Sequence, residues 1–158
     1  MGVFLNRGNL GFSEIVNSRI YVDKTDMISF LNEAVCTEQR CICVSRPRRF
    51  GKTVTANMIA AYYDKSCDSR ALFSGRKLGK LPGWEEGLNR YDVIKIDLAD
   101  ILSSRQLSEE ALNYIEKKLY NDLKKAYPKA TFGKSFSIYG HEVRTDEGKK
   151  SVEKWLNK

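Results

Sequence analysis

Ser45-Arg46-Pro47-Arg48-Arg49-Phe50-Gly51-Lys52-Thr53 is the most informative run of this sequence. The apolar run Cys41-Ile42-Cys43-Val44 precedes it, and Val54-Thr55-Ala56-Asn57-Met58-Ile59-Ala60 follows. A short buried strand over 40–45, a tight loop and a helix opening at Gly-Lys-Thr is the setting a phosphate-binding loop requires. Backbone N–H groups of such a loop, together with the positive end of the helix dipole, converge on a phosphate. Lys52 would reach the β- and γ-phosphates, and the Thr53 hydroxyl would ligate Mg²⁺. Against the pattern G-x-x-x-x-G-K-[ST], Arg46 stands where the first glycine belongs. From the residues alone two other readings stay open: a plain helix start with a basic cap, and a nucleic-acid patch formed by Arg46, Arg48, Arg49 and Lys52.

Composition narrows the setting. At 158 residues the chain suits one domain that buries roughly 70% of its unfolded surface. Apolar content of 42% and charged content of 30% are those of an ordinary soluble globular protein. The net charge of +7 favours an anionic partner, and residues 46–52 carry four of the basic side chains and no acid. Cys36, Cys41, Cys43 and Cys67 include no C-x-x-C pair, and the single histidine, His141, lies far off, which argues against zinc. The cysteines read as small apolar residues in a reducing compartment. No apolar stretch has signal-peptide or membrane-spanning length, so a cytoplasmic protein is expected, with no membrane partner.

Upstream of the loop, residues 1–18 read as an irregular arm anchored by Phe4, Leu5, Leu10, Phe12 and Ile15. Arg19-Ile20-Tyr21-Val22 is a short extended segment. Asp23 then stands as an N-cap for a helix carrying Met27, Ile28, Phe30, Leu31, Ala34 and Val35. Downstream, the helix after Gly51 turns Val54, Met58, Ile59, Ala61 and Tyr62 toward a core, and Tyr62 and Tyr63 read as packing residues rather than a base-stacking platform. Trp84 anchors the Pro82-Gly83-Trp84 loop. Tyr91 to Leu98 reads as a second strand, and residues 40–98 therefore form a β-α-β unit with parallel strands and a right-handed crossover. Asp97, at the carboxyl edge of that strand, is the lesser Mg²⁺ candidate beside Thr53, since an apolar strand ending in Asp resembles a Walker B strand; Lys95 interrupts its apolar run. Ser108-Glu109-Glu110 opens the longest helix, with Leu107, Ala111, Ile115, Leu119 and Leu123 every four residues, and Tyr127-Pro128 ends it. Beyond it, 132–139 reads as extended and 146–157 as a polar helix.

Tyr21-Val22-Asp23-Lys24-Thr25 and the Ser45–Thr53 loop together resemble the bacterial AAA-ATPase-like family, with its Y-V-D-K-T segment and R-P-R-R-F-G-K-[ST] loop. Ala60-Ala61-Tyr62-Tyr63, Cys67-Asp68-Ser69-Arg70, Leu72-Phe73-Ser74-Gly75 and Tyr91-Asp92-Val93-Ile94 fit in the same order. The resemblance covers about residues 8–127, and in that family arginine in place of the first glycine is normal. It implies an α/β fold, a P-loop NTPase-like three-layer sandwich whose parallel sheet is flanked by helices, incomplete on its C-terminal side. It implies ATP and Mg²⁺ as ligands. Gly51, Lys52 and Thr53 would bind phosphate and metal, and Arg46, Pro47, Arg48, Arg49 and Phe50 would shape the loop; Asp23, Lys24 and Thr25 receive no assigned role. Many members continue into a nuclease-like domain that nothing here represents.

The departures matter for activity. The family's Walker B strand comes after the 93–97 strand and ends in an I-D-E-[WYF]-D run that this sequence lacks. Residues 1–127 are thus expected to form the N-terminal part of a P-loop domain and 128–158 a divergent tail. The expected function is ATP binding with hydrolysis slow or absent in this chain alone. A partner chain supplying the missing strands, a basic nucleic-acid-binding module and a relic without function are the competing expectations. A lost strand would also leave a sheet edge open to self-association.

Overall fold

The computed structural model describes residues 2–47, 49–99, 101 and 109–130. Arg48, Leu107, Ser108, His141 and the segments expected at 132–139 and 146–157 lie outside the described residues. Two compact units are present, Met1–Asp97 and Leu98–Lys158.

In the first unit four helices surround one aromatic core. Helix α1 is Leu10–Val16, α2 is Met27–Ala34, α3 is Lys52–Tyr63 and α4 is Arg70–Ser74. Short 3₁₀ turns occupy Glu38–Arg40 and Leu78–Lys80. The periods explain the burial: Ile28, Leu31 and Ala34 recur on one side of α2, and Met58, Ala61 and Tyr62 on one side of α3. All of these except Ala34 join Phe12, Phe73, Leu78 and Leu88 in a single cluster. Fully burying one such side chain contributes about 1.5–3 kcal/mol.

The tyrosines end α3 inside the core, as expected of packing residues. Tyr62 is 0% exposed and Tyr63 9%. Their hydroxyls meet the Asn32 side chain: the Tyr63 hydroxyl donates to Asn32 Oδ1 (2.6 Å), and Asn32 Nδ2 donates to the Tyr62 hydroxyl (3.0 Å). The Tyr62 hydroxyl in turn donates to the Trp84 carbonyl (2.6 Å), which ties the 82–84 loop down as expected. Gly87 makes room for this hub, because a Cβ there would lie 2.9 Å from Asn32 Oδ1 and 3.1 Å from the Tyr63 ring. Burial holds the Tyr63 hydroxyl far above its usual pKa, with the neighbouring Tyr62 and Tyr91 hydroxyls adding to the effect.

β-Pairing among the described residues consists of two isolated bridges, Leu5 with Ile94 (antiparallel) and Asp64 with Tyr91 (parallel). Asn6 holds the first in place from both sides. Its N–H donates to the Val93 carbonyl and its Oδ1 accepts from the Val93 N–H, both at 2.8 Å. Phe4 and Leu5 are buried there, so the arm is anchored as expected, whereas Leu10 is 64% exposed.

Two local expectations are corrected. Cys41–Val44 carries no regular secondary structure and is exposed, not a buried strand, with Ile42 at 40% and Val44 at 43%. An apolar run of this kind is covered only where neighbouring strands lie beside it, and none does among the described residues. Helix α2, moreover, starts at Met27 with Asp26 at its N-cap position, so Asp23 is not its cap. Asp23 Oδ1 accepts instead from the Thr25 N–H (3.0 Å), an Asx turn one step ahead of the helix.

In the second unit, α5 is Glu109–Ala126, the long helix expected from the four-residue period. Ala111, Ile115 and Leu119 are buried on one stripe, while Leu112 is 46% exposed. Lys124 and Lys125 lie in the last turn, where positive charge complements the helix dipole.

Candidate functional site

The Arg46–Thr53 loop runs into α3, which begins at Lys52. Gly51, the residue before it, has φ +78° and ψ +24°, a left-handed conformation that costs a glycine little. Arg49 also has a positive φ, +67°. A non-glycine residue held there carries roughly 1 kcal/mol of strain, a feature that clusters at ligand-binding loops. Arg46, Pro47, Arg49 and Phe50 are all exposed, with Phe50 at 61%.

Lys52 folds back over the loop. Its ammonium donates to the carbonyls of Arg46 (2.6 Å) and Pro47 (2.9 Å), so the side chain closes the loop on itself. Thr53 is exposed in the first turn of α3. Asp97 is half-buried at the end of the first unit. Lys95, which broke the apolar run before Asp97, reaches α3 and donates to Asn57 Oδ1.

Beside the loop lies a cleft of about 300 Å³. Ile15, Ile20, Val22, Val54 and Met58 supply apolar walls, Phe50 and Gly51 the loop side, and Lys24 and Arg49 its two charged residues, both basic. The segment 20–24 is thus the wall facing α3, a role that no short-range pattern in the sequence announces.

Asp23 and Thr25 have a different task from Lys24. Thr25 is completely buried; its Oγ1 donates to Asp23 Oδ1 (2.8 Å) and accepts from the Leu78 N–H (3.0 Å). Asp23 Oδ2 accepts from the Lys77 N–H (2.9 Å). Burial pushes the Asp23 carboxyl up, but the N–H groups of Lys77 and Thr25, the Thr25 hydroxyl and the Arg76 charge outweigh it and hold the carboxyl below the usual range. The guanidinium of Arg76 also lies 5.1 Å from the Tyr21 ring centre. This short segment is therefore stapled to residues 76–78 on one side and faces the loop on the other.

Residues 8–153 match the model of the predicted AAA-ATPase family. The chain belongs to that family. The match takes in residues 128–153, set apart above as a divergent tail, as well as the loop, the cleft and the staple. No curated protein and no solved structure matches the chain. For an AAA-ATPase-like chain the residues beside the loop suit an anion, since the charged lining of the cleft is basic and the end of α3 is open. Among the described residues no three His, Cys, Asp or Glu side chains group as a metal site, and no helix is long and apolar enough to cross a membrane.

Proposed function

We propose that this AAA-ATPase-like chain is a nucleotide-binding P-loop module that takes Mg·ATP on the 46–53 loop and hydrolyses it slowly or not at all by itself. The observation that carries the reading is the Gly51-Lys52-Thr53 start of α3, with Gly51 left-handed and an apolar, basic-lipped cleft beside it, in a chain of this family. Gly51 N–H and the first N–H groups of α3 would face the phosphates, and Lys52 would exchange its loop carbonyls for phosphate oxygens. Arg46, Pro47, Arg48, Arg49 and Phe50 would shape the loop. The apolar walls of the cleft would cover the base. Mg²⁺, when bound, would neutralise the β- and γ-phosphates; Thr53 would ligate it, with Asp97 as the second candidate. In this reading the chain is an α/β P-loop sandwich with a parallel sheet flanked by helices, incomplete on its C-terminal side.

Slow turnover follows from the chemistry. Phosphoryl transfer to water needs a carboxylate to fix the metal and another group to orient the water. No residue of the sequence is assured of either role. Calorimetric titration of Mg·ATP into wild type and Lys52→Ala, with phosphate release followed in parallel, tests the proposal. Saturable binding to wild type that Lys52→Ala loses is the expected result. A folded wild type that binds no nucleotide, but binds polynucleotide with a steep salt dependence and no need for Mg²⁺, would replace this reading with the nucleic-acid one.

A further inference from the structure

The Lys52 ammonium is engaged by two carbonyls of its own loop. A second ammonium stands over the same loop. Lys24 Nζ lies 4.0 Å from the position a Cβ would take on Gly51, the residue that opens α3. Lys24 and Arg49 are the charged lining of the cleft, and the nearest acid in sequence, Asp23, is turned away into the staple with Thr25 and Lys77. The backbone on either side of Lys24 is pinned: Asp23 holds the Lys77 N–H, and Thr25 holds the Leu78 N–H. A lysine on an anchored backbone loses less freedom when it binds than one on a loose loop, so more of its charge interaction is retained.

From this geometry we infer that Lys24 is a second phosphate-binding cation of the nucleotide site, delivered to the loop by the Asp23–Thr25 staple. The inference rests on the nucleotide reading above and adds a residue to it. Lys24 comes from outside the loop, so a polyphosphate would be met by two ammonium groups, those of Lys52 and Lys24. Asp23 and Thr25 are positioning residues that act through Lys24. The chemistry recognised is a chain of phosphates, and a nucleoside monophosphate offers Lys24 much less charge.

The test is equilibrium titration of the full chain with Mg·ATP and with AMP, for wild type, Lys24→Gln, Lys24→Arg and Lys52→Ala, beside thermal unfolding of each. Lys24→Gln is expected to weaken Mg·ATP about tenfold, the low end for a hydrogen bond to a charged group, and AMP by less than about twofold. Lys24→Arg, which keeps the charge, should stay within about threefold of wild type, and the unfolding midpoint of Lys24→Gln should match wild type. If Lys24→Gln binds Mg·ATP as tightly as wild type while Lys52→Ala does not bind, the role of Lys24 is overturned and the nucleotide site stands. Equal losses for Mg·ATP and AMP would also overturn it, since a phosphate-chain contact must favour the longer chain. A wild type that binds neither ligand overturns the nucleotide reading and this inference with it.

Discussion

Replacing Thr25 with valine keeps the shape of a completely buried side chain and removes its hydroxyl. The hydroxyl makes two bonds, one donated to Asp23 Oδ1 at 2.8 Å and one accepted from the Leu78 N–H at 3.0 Å. Without it the Leu78 N–H is left buried and unsatisfied, which costs about 1–3 kcal/mol, and the lost bond to Asp23 costs about 1 kcal/mol more. Valine places a methyl where the oxygen was, so no cavity term is added. The sum, about 2–4 kcal/mol, is a large share of the 5–15 kcal/mol that holds an average domain folded. With a urea slope of about 1.5 kcal/mol/M, the unfolding midpoint should fall by about 1.3–2.7 M at unchanged slope. Thr25→Ser retains the hydroxyl and gives up one methyl, a loss of about 1 kcal/mol. A midpoint for Thr25→Val within about 0.3 M of wild type would refute the idea that this hydroxyl staples the 23–25 segment to the 77–78 turn.

Three further outcomes follow from the same contacts. Because the folded Asp23 carboxyl titrates below its unfolded value, its stabilising contribution is complete above about pH 4 and declines as pH falls through the folded pKa; acid unfolding of Asp23→Asn should lack that decline, and parallel curves for the two proteins would contradict it. Gly87→Ala should destabilise the first unit by about 1–3 kcal/mol in the same urea assay, as the added Cβ meets Asn32 Oδ1 at 2.9 Å and both tyrosine rings; an unchanged midpoint would show that the hub has slack. Alkylation at neutral pH followed by peptide mapping should modify exposed Cys36, Cys41 and Cys43 well before Cys67, whose thiol is pushed up by burial, which outweighs the hydrogen bond with Ser69, with the Asp64 and Asp68 carboxylates adding to the rise. Early labelling of Cys67 would count against that ordering.

Residues whose partners lie close in the chain were readable beforehand. The apolar period of α3 and α5 and the packing role of Tyr62 and Tyr63 are of this kind, because a helix brings i, i+3 and i+4 together by its own geometry. The family's loop was readable too, since it is a contiguous pattern. Asp23 was not. Beside an apolar helical period it has the signature of a cap, and its other partner, the Lys77 N–H, lies 54 residues away. Lys24 was hidden for the same reason, as only the folded chain sets it beside Gly51. Cys41–Val44 shows the opposite difficulty: alternation with apolar residues announces a strand, while its burial depends on neighbours that a local pattern does not contain. Lys95 read as an interruption, and it is a tie to Asn57 on α3.

The aromatic core has a consequence for anyone handling this protein. Tyr21 meets Phe12 edge-on at 6.1 Å, Phe12 stacks on Phe73 at 5.2 Å, and Phe73 meets Tyr62 at 5.4 Å. Tyr62 then meets Tyr63 at 4.8 Å and Tyr63 meets Tyr91 at 5.5 Å, both edge-on. Six rings thus run in unbroken relay, most of them steeply inclined to the next and fixed in an asymmetric environment. Such an array gives a circular dichroism signal in the near ultraviolet that vanishes when side-chain packing loosens, even if the helices persist. One end of the relay, Tyr21, lines the cleft, so the protein carries its own optical gauge, reading the tightness of the core through the middle rings and the filling of the cleft at that end.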